Sequence, residues 1–88
     1  MKIADGFILD CVGGEYVGIS LDYSEERFSG MIKLTSVGAF LWELLMKDVT
    51  ETDLVQAITE RYQVEEAIAA RDIRRFLQQL EKNGILEK

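Results

Sequence analysis

Carboxylates and arginines dominate the side chains in this sequence that could do chemistry. The chain carries 16 Asp and Glu against 10 Lys and Arg, and no histidine. Without histidine, the commonest acid–base group and metal ligand is missing. Asp5, Asp10, Glu15, Asp22, Glu25 and Glu26 are scattered, which reads as solvated surface charge rather than a two-carboxylate mechanism. Cys11 stands alone. It can form no internal disulfide and belongs to no Cys/His cluster for zinc or an iron–sulfur centre. It alternates with Phe7 and Leu9, so a small buried hydrophobe is expected rather than a reactive thiol. The glycines of "VGGEYVG" (12–18) lack the Gly-Lys-Ser/Thr of a phosphate loop and sit between two strands. No catalytic residue, metal or cofactor is expected of this chain.

The arginines point to binding instead. Residues 1–63 hold eleven acids and five cations, whereas residues 64–88 hold five of each, including Arg71, Arg74 and Arg75. A local basic patch is therefore compatible with the net charge of −6. A nucleic-acid reader normally shows a basic excess, because phosphate neutralisation supplies much of its affinity.

The elements that position these groups follow from hydrophobic period. Residues 6–12 and 15–21 are rich in β-branched and aromatic types, and Gly13-Gly14 between them suits a two-residue hairpin turn. "DYSEE" is a polar loop. Residues 27–34 alternate, with Phe28, Gly30, Ile32 and Leu34 on one side and Arg27, Ser29, Met31 and Lys33 on the other, as a half-buried strand does. From Val37 the period becomes three-and-four through Phe40, Leu41, Leu44 and Leu45, which predicts a helix over 36–46 capped by Thr35 or Ser36. Trp42 is expected to widen its buried face. Thr50 caps a second helix with Asp53 three residues on, and Leu54, Val55, Ile58 and Tyr62 form its stripe. A third helix covers about 65–82 with Ala69, Ile73, Phe76, Leu77 and Leu80 inward. Asn83-Gly84 stops it, and Ile85 and Leu86 tuck back on the core.

The order βββααα predicts an α+β fold, a three-stranded antiparallel sheet packed on a three-helix bundle, in one domain spanning 1–88. No apolar run approaches the roughly 20 residues that cross a bilayer. The opening "MKIADGFILDC" is not composed like a signal peptide, so a cytoplasmic protein is expected. The last two helices resemble a helix-turn-helix.

The third strand raises a question of purpose. An unblunted edge strand recruits another strand, and natural edges usually carry Pro, bulges or inward charges. Residues 28–34 have no Pro, Lys33 is their only charge, and Gly30 lets another backbone approach closely. Phe28, Ser29, Gly30, Met31, Ile32, Lys33 and Leu34 are thus candidates for docking a guest strand, although the period alone equally allows a central strand. Ala67, Ala70, Arg71, Arg74 and Gln78 share a shoulder of the third helix. Small residues there would leave room for a guest and the arginines would pair with its acids; the plain alternative is a solvated face with Asp72 and Glu81 as local partners.

Four segments together, "GFIL…GGEYVGISL" (6–9, 13–21), "FSGMIKLTSVGAFLWELL" (28–45), "TETDLVQAITERYQV" (50–64) and "RDIRRFLQQLEKNGIL" (71–86), resemble PqqD-like proteins, also called RiPP recognition elements. That family binds the leader sequences of ribosomally made, modified peptides. The resemblance implies a winged-helix-like domain in which the leader adds as a strand to the third strand, against the third helix. It implies a stand-alone peptide chaperone that delivers its precursor to a separate maturase, often a radical S-adenosylmethionine enzyme, and is not itself an enzyme. "FSGMIKL" looks more like the broad PqqD-like group than the members dedicated to pyrroloquinoline quinone. The competing expectation is a winged-helix DNA-binding transcriptional regulator. The acidic total argues against it and against nucleic-acid partners, and with no membrane-length apolar run no membrane partner is expected.

Overall fold

The structure, a computed structural model, describes residues 1–21 and 31–87. Among these residues, five strands and three helices follow one another as β1 (Lys2–Ile3), β2 (Phe7–Val12), β3 (Glu15–Ser20), β4 (Met31–Leu34), α1 (Ser36–Leu44), α2 (Glu51–Tyr62), α3 (Glu66–Lys82) and β5 (Leu86–Glu87). The expected α+β arrangement is present. β2, β3 and β4 form an antiparallel sheet in that order, and the helices cover one of its faces.

The hairpin turn is made by Gly13 (φ 60°) and Gly14 (φ 83°). Two successive positive φ values are what a two-residue primed turn requires, and glycine adopts them without a Cβ clash. The register pairs Phe7 with Ser20 at the base and Val12 with Glu15 at the tip, and the Leu21 N–H donates to the Gly6 carbonyl to close the base. Along the core face of β2, burial fades from Phe7 through Leu9 to Cys11. Cys11 is therefore exposed, which corrects the expectation of a buried thiol. The alternation was right, but the hairpin tip extends past the helices that would cover it.

Helix starts match their capping chemistry. Thr35 Oγ1 accepts from the Gly38 N–H at 3.0 Å. Thr50 and Asp53 complete a reciprocal capping box, at 3.1 Å and 2.9 Å. α1 is shorter than its period implied, ending at Leu44 with Leu45 as its cap. Gln63 closes α2 in a left-handed conformation, φ 52°.

The core gathers Trp42 and Leu45 from α1, Leu54 from α2, Ile73 and Leu80 from α3, and Ile85 from the tail. Each such side chain contributes about 1.5–3 kcal/mol by leaving water. Trp42 is fully buried under the sheet, as expected, and its ring lies against Gly18 at the middle of β3.

One pairing was not foreseen. Lys2 and Ile3 pair with Glu87 and Leu86 as a two-stranded ribbon, β1–β5. The Ile3 N–H also donates to the Leu45 carbonyl at 2.8 Å, and the Ala4 N–H to Ile85 at 2.7 Å. The Met1 amine sits 2.6 Å from Asp48 Oδ1 and holds that carboxyl below its usual range.

Candidate functional site

Edge position is settled first. β3 is the central strand, so β4 lies at the edge, and among the described residues it pairs with β3 alone. Met31 and Lys33 point outward and Ile32 and Leu34 inward, half-buried, as the period predicted. Phe28, Ser29 and Gly30, the first part of the expected docking strand, lie outside the described residues. The opposite edge, β2, is partly blunted: the Cys11 N–H is taken by Asp10 Oδ1 at 2.8 Å. Charged side chains folded onto an edge are a common guard against strand pairing. On β4 the one charge, Lys33, reaches 3.7 Å toward Glu15, a pair exposed enough to count for little.

Beside the end of β4 lies a groove of about 480 Å³. It runs between the start of α1 and one flank of α3. Val37, Val64, Ile68 and Phe76 supply apolar walls, Tyr62 lines it from the end of α2, and the exposed Asp72 adds a carboxylate. Val37, Val64 and Ile68 are 37%, 38% and 41% exposed, and Met31 on the adjoining strand is 60% exposed. The groove joins the strand at Gly38. A methyl group placed on Gly38 would come within 3.3 Å of the Phe76 ring and 3.7 Å of the Leu34 Cβ. Glycine there lets α1, α3 and the end of β4 converge.

The expected helix shoulder sits elsewhere. Arg74 Nη2 binds Glu51 Oε2 of α2 at 3.2 Å. Ala70 lines a shallow surface with Glu51 and Val55 of α2. Arg71 Nε lies 3.5 Å from Asp72 Oδ1, and Ala67 and Gln78 are exposed. At 100° per residue, Arg74 stands about 160° around the helix from Phe76, and Ala70 the same from Ile68. The structure therefore brings Ala70 and Arg74 to α2, not to the β4 side. The flank that lines the groove is Ile68–Asp72–Phe76, and helix geometry puts Arg75 and Gln79 along it.

Sequence reasoning passed over Val64 and Ile68. The available signal was an apolar excess: Ile68 falls outside the Ala69–Ile73–Leu80 stripe, and Val64 occupies a turn that needs no apolar residue. Val37 and Phe76 were recognised as helix-face residues but assigned wholly to the core.

Beside Tyr62, which lines the groove, the Arg61 guanidinium lies over the Phe40 ring, 4.8 Å from its centroid, and 5.6 Å from that of Tyr62. The two rings meet edge to face at 5.9 Å. Among the described residues, no His, Cys, Asp and Glu are grouped to hold a metal ion. The site offers hydrogen-bonding backbone, an apolar trough and a stacked cation, which is equipment for holding a peptide.

A three-stranded sheet on three helices, with its last strand open beside an apolar trough, is a winged-helix-like α+β domain. The chain belongs to the PqqD family: the family model described as coenzyme PQQ synthesis protein D matches residues 8–86. It is similar to TbiB1, solved in complex with the TbiA(β) leader peptide, at 30% identity over 99% of this chain and 95% of that one, with a TM-score of 0.78. Lasso peptide synthetase B1, complexed with the leader peptide, shares the fold at 21% identity and a TM-score of 0.76, over 99% of this chain and 96% of the other. No curated protein matches the chain.

Proposed function

We propose that this chain is a peptide-binding adaptor. It takes the leader of a ribosomally synthesised precursor as a fourth strand on the β4 edge and presents the precursor to a separate modifying enzyme. The carrying observation is the open Met31–Leu34 edge adjoining an apolar groove. Family membership and the leader-bound state of TbiB1 support it. The expected docking strand, with Phe28, Ser29 and Gly30 before Met31, Ile32, Lys33 and Leu34, remains the proposed contact. On α3, the proposed wall moves from Ala67, Ala70, Arg71, Arg74 and Gln78 to Ile68 and Phe76. Residues 1–88 act as one domain in this scheme. The chemistry belongs to the partner enzyme, with a radical S-adenosylmethionine maturase the proposed type.

Magnitudes explain why both features are needed. In an antiparallel strand every second residue turns its N–H and C=O outward, so the four described residues of β4 offer about four hydrogen-bonding groups. At roughly 0.5–1.5 kcal/mol net each, they barely offset the ~4 kcal/mol or more lost on association. One or two large side chains buried in the groove add about 1.5–3 kcal/mol each, which supplies most of the net and approaches micromolar binding when both contributions lie at their upper ends. A duplex-DNA reader would need a cluster of free cations on α3, whereas two of its three arginines, Arg71 and Arg74, are paired with Asp72 and Glu51 and the chain carries a net charge of −6.

Amide hydrogen exchange tests the reading with a synthetic leader peptide that the protein binds, chosen from a panel that includes the TbiA(β) leader. Protection should appear at Met31–Leu34 on adding the leader, and Met31→Pro, which removes an N–H and obstructs pairing, should weaken binding. Unchanged exchange across 31–34 in the saturated complex would rule out strand addition.

A further inference from the structure

Arg61 is set apart from the other arginines by how it is held. Its Nε lies 3.4 Å from the Tyr62 hydroxyl, and its plane rests on Phe40 and Tyr62. Arg71 and Arg74 each have a carboxylate partner, but among the described residues no carboxylate lies within ion-pair distance of Arg61. Arg75 also lacks one, yet no described ring stacks on it. With Nε turned to Tyr62 and one face resting on Phe40, the two terminal nitrogens are the free edge of Arg61. That edge is the fork that receives a carboxylate end-on. Stacking lowers the entropy lost when it does so.

Its location gives the fork a purpose. Tyr62 and Val64 line the groove where α2 passes into α3, whereas Phe76 lies about 15 Å further along α3, beside Gly38 and the end of β4. A peptide leaving the β4 edge and crossing the groove would arrive at Arg61 after its apolar residues are seated. We infer that Arg61 is a specificity subsite for an Asp or Glu of the bound leader, placed a fixed few residues from the apolar side chain in the groove. The inference rests on the leader-binding reading and narrows it to one class of leader, apolar then acidic. Local charge sharpens the selection. The charged residue lining the groove is Asp72, so an acid seated in the groove meets like charge while one at Arg61 meets a cation, and at physiological salt each effect is local to about 8 Å.

The test is a selection of random peptides displayed on ribosomes or phage against the full chain, the Arg61→Gln variant and the Arg61→Glu variant. Arg61 is exposed, and far-UV circular dichroism should show all three folded. Peptides bound by the parent should carry Asp or Glu at one position offset from their apolar residue, enriched roughly threefold to tenfold over the starting library, as a partly desolvated ion pair warrants. The enrichment should vanish for Arg61→Gln. For Arg61→Glu, Lys or Arg should take the same position, an inversion that mere destabilisation cannot produce. Peptides with the same acid frequency on all three proteins, or with no acid preference on the parent, would overturn the inference and leave peptide binding standing. A library that yields no binder on any of the three would remove the peptide-binding reading itself, and the subsite with it.

Discussion

Replacing Gly18 with alanine puts a single methyl group where the molecule has no space. Gly18 lies in the central strand, paired with Leu9 on one side and Ile32 on the other. A Cβ there would sit 2.6 Å from Trp42 Cη2 and Cζ3 and 3.1 Å from Ile32 Cγ2. Relaxed carbon–carbon contacts lie near 3.5–4.0 Å, so the indole must retreat by about 1 Å. Trp42 is fully buried, with nowhere to go except into α1 or the core below. Overpacking of this kind costs about 1–3 kcal/mol. Gly18 has no positive φ, so alanine recovers some 0.4–1 kcal/mol by restricting the unfolded chain. Because the fully buried indole cannot move aside, the cost falls at the upper end and the expected net loss is about 2 kcal/mol, which at about 4–8 °C per kcal/mol for a domain of this size lowers the midpoint by roughly 8–16 °C. Thermal unfolding followed by far-UV circular dichroism reads it. Tryptophan fluorescence does not serve, because the companion variant, Trp42→Phe, removes the one tryptophan. That variant shortens the ring and also removes a buried Nε1–H that has no partner. If the clash is the cause, Gly18→Ala in the Trp42→Phe background should cost at least about 1 kcal/mol less than in the parent. A Gly18→Ala midpoint within 2 °C of the parent, or strictly additive losses in the double variant, would refute the reasoning.

The other expectations concern the groove and a helix end. Ile68→Ser should weaken leader binding by about tenfold by calorimetry, because a seated side chain loses an apolar wall. Arg74→Ala should change it less than twofold, since an exposed ion pair to Glu51 contributes only ~0–1 kcal/mol, and to folding rather than docking; the reverse order of effects would return the binding wall to the α2 side. Gln63→Gly should raise the thermal midpoint by a few degrees, because a left-handed C-cap costs glutamine up to about 1 kcal/mol relative to glycine; a lowered midpoint would mean that the Gln63 side chain contributes more than its backbone costs.

Long periodic elements could be read directly from the residues. The hairpin around Gly13-Gly14, the capping box at Thr50 and Asp53, and the Ala69–Ile73–Leu80 stripe each announce themselves through local chemistry that tertiary packing had no reason to override. The β1–β5 ribbon did not, because two-residue strands have no period and their pairing joins the two ends of the chain. At the site, alternation along Met31–Leu34 revealed the strand, but which α3 flank faces it depends on where α2 packs. A helical wheel gives the angle between Arg74 and Phe76 and nothing about which neighbour each meets. The Arg74–Glu51 contact decides it, through a residue 23 positions earlier.

The β1–β5 ribbon has a consequence for how such a domain can be carried. Lys2 stands opposite Glu87, so chain entry and exit are one strand spacing apart, about 5 Å. The ribbon is anchored at the C-terminal end of α1, through the Leu45 carbonyl, whereas the groove opens at the other end, around Thr35, Val37 and Gly38. The nine residues of α1 separate the two by about 13 Å. Neighbouring ends on the far side of a working surface are the geometry that tolerates splicing into a host loop or circular permutation. Grafted through this ribbon into an exposed turn of an unrelated enzyme, the domain would behave as a cassette, with its open strand turned outward and its seam closed behind it.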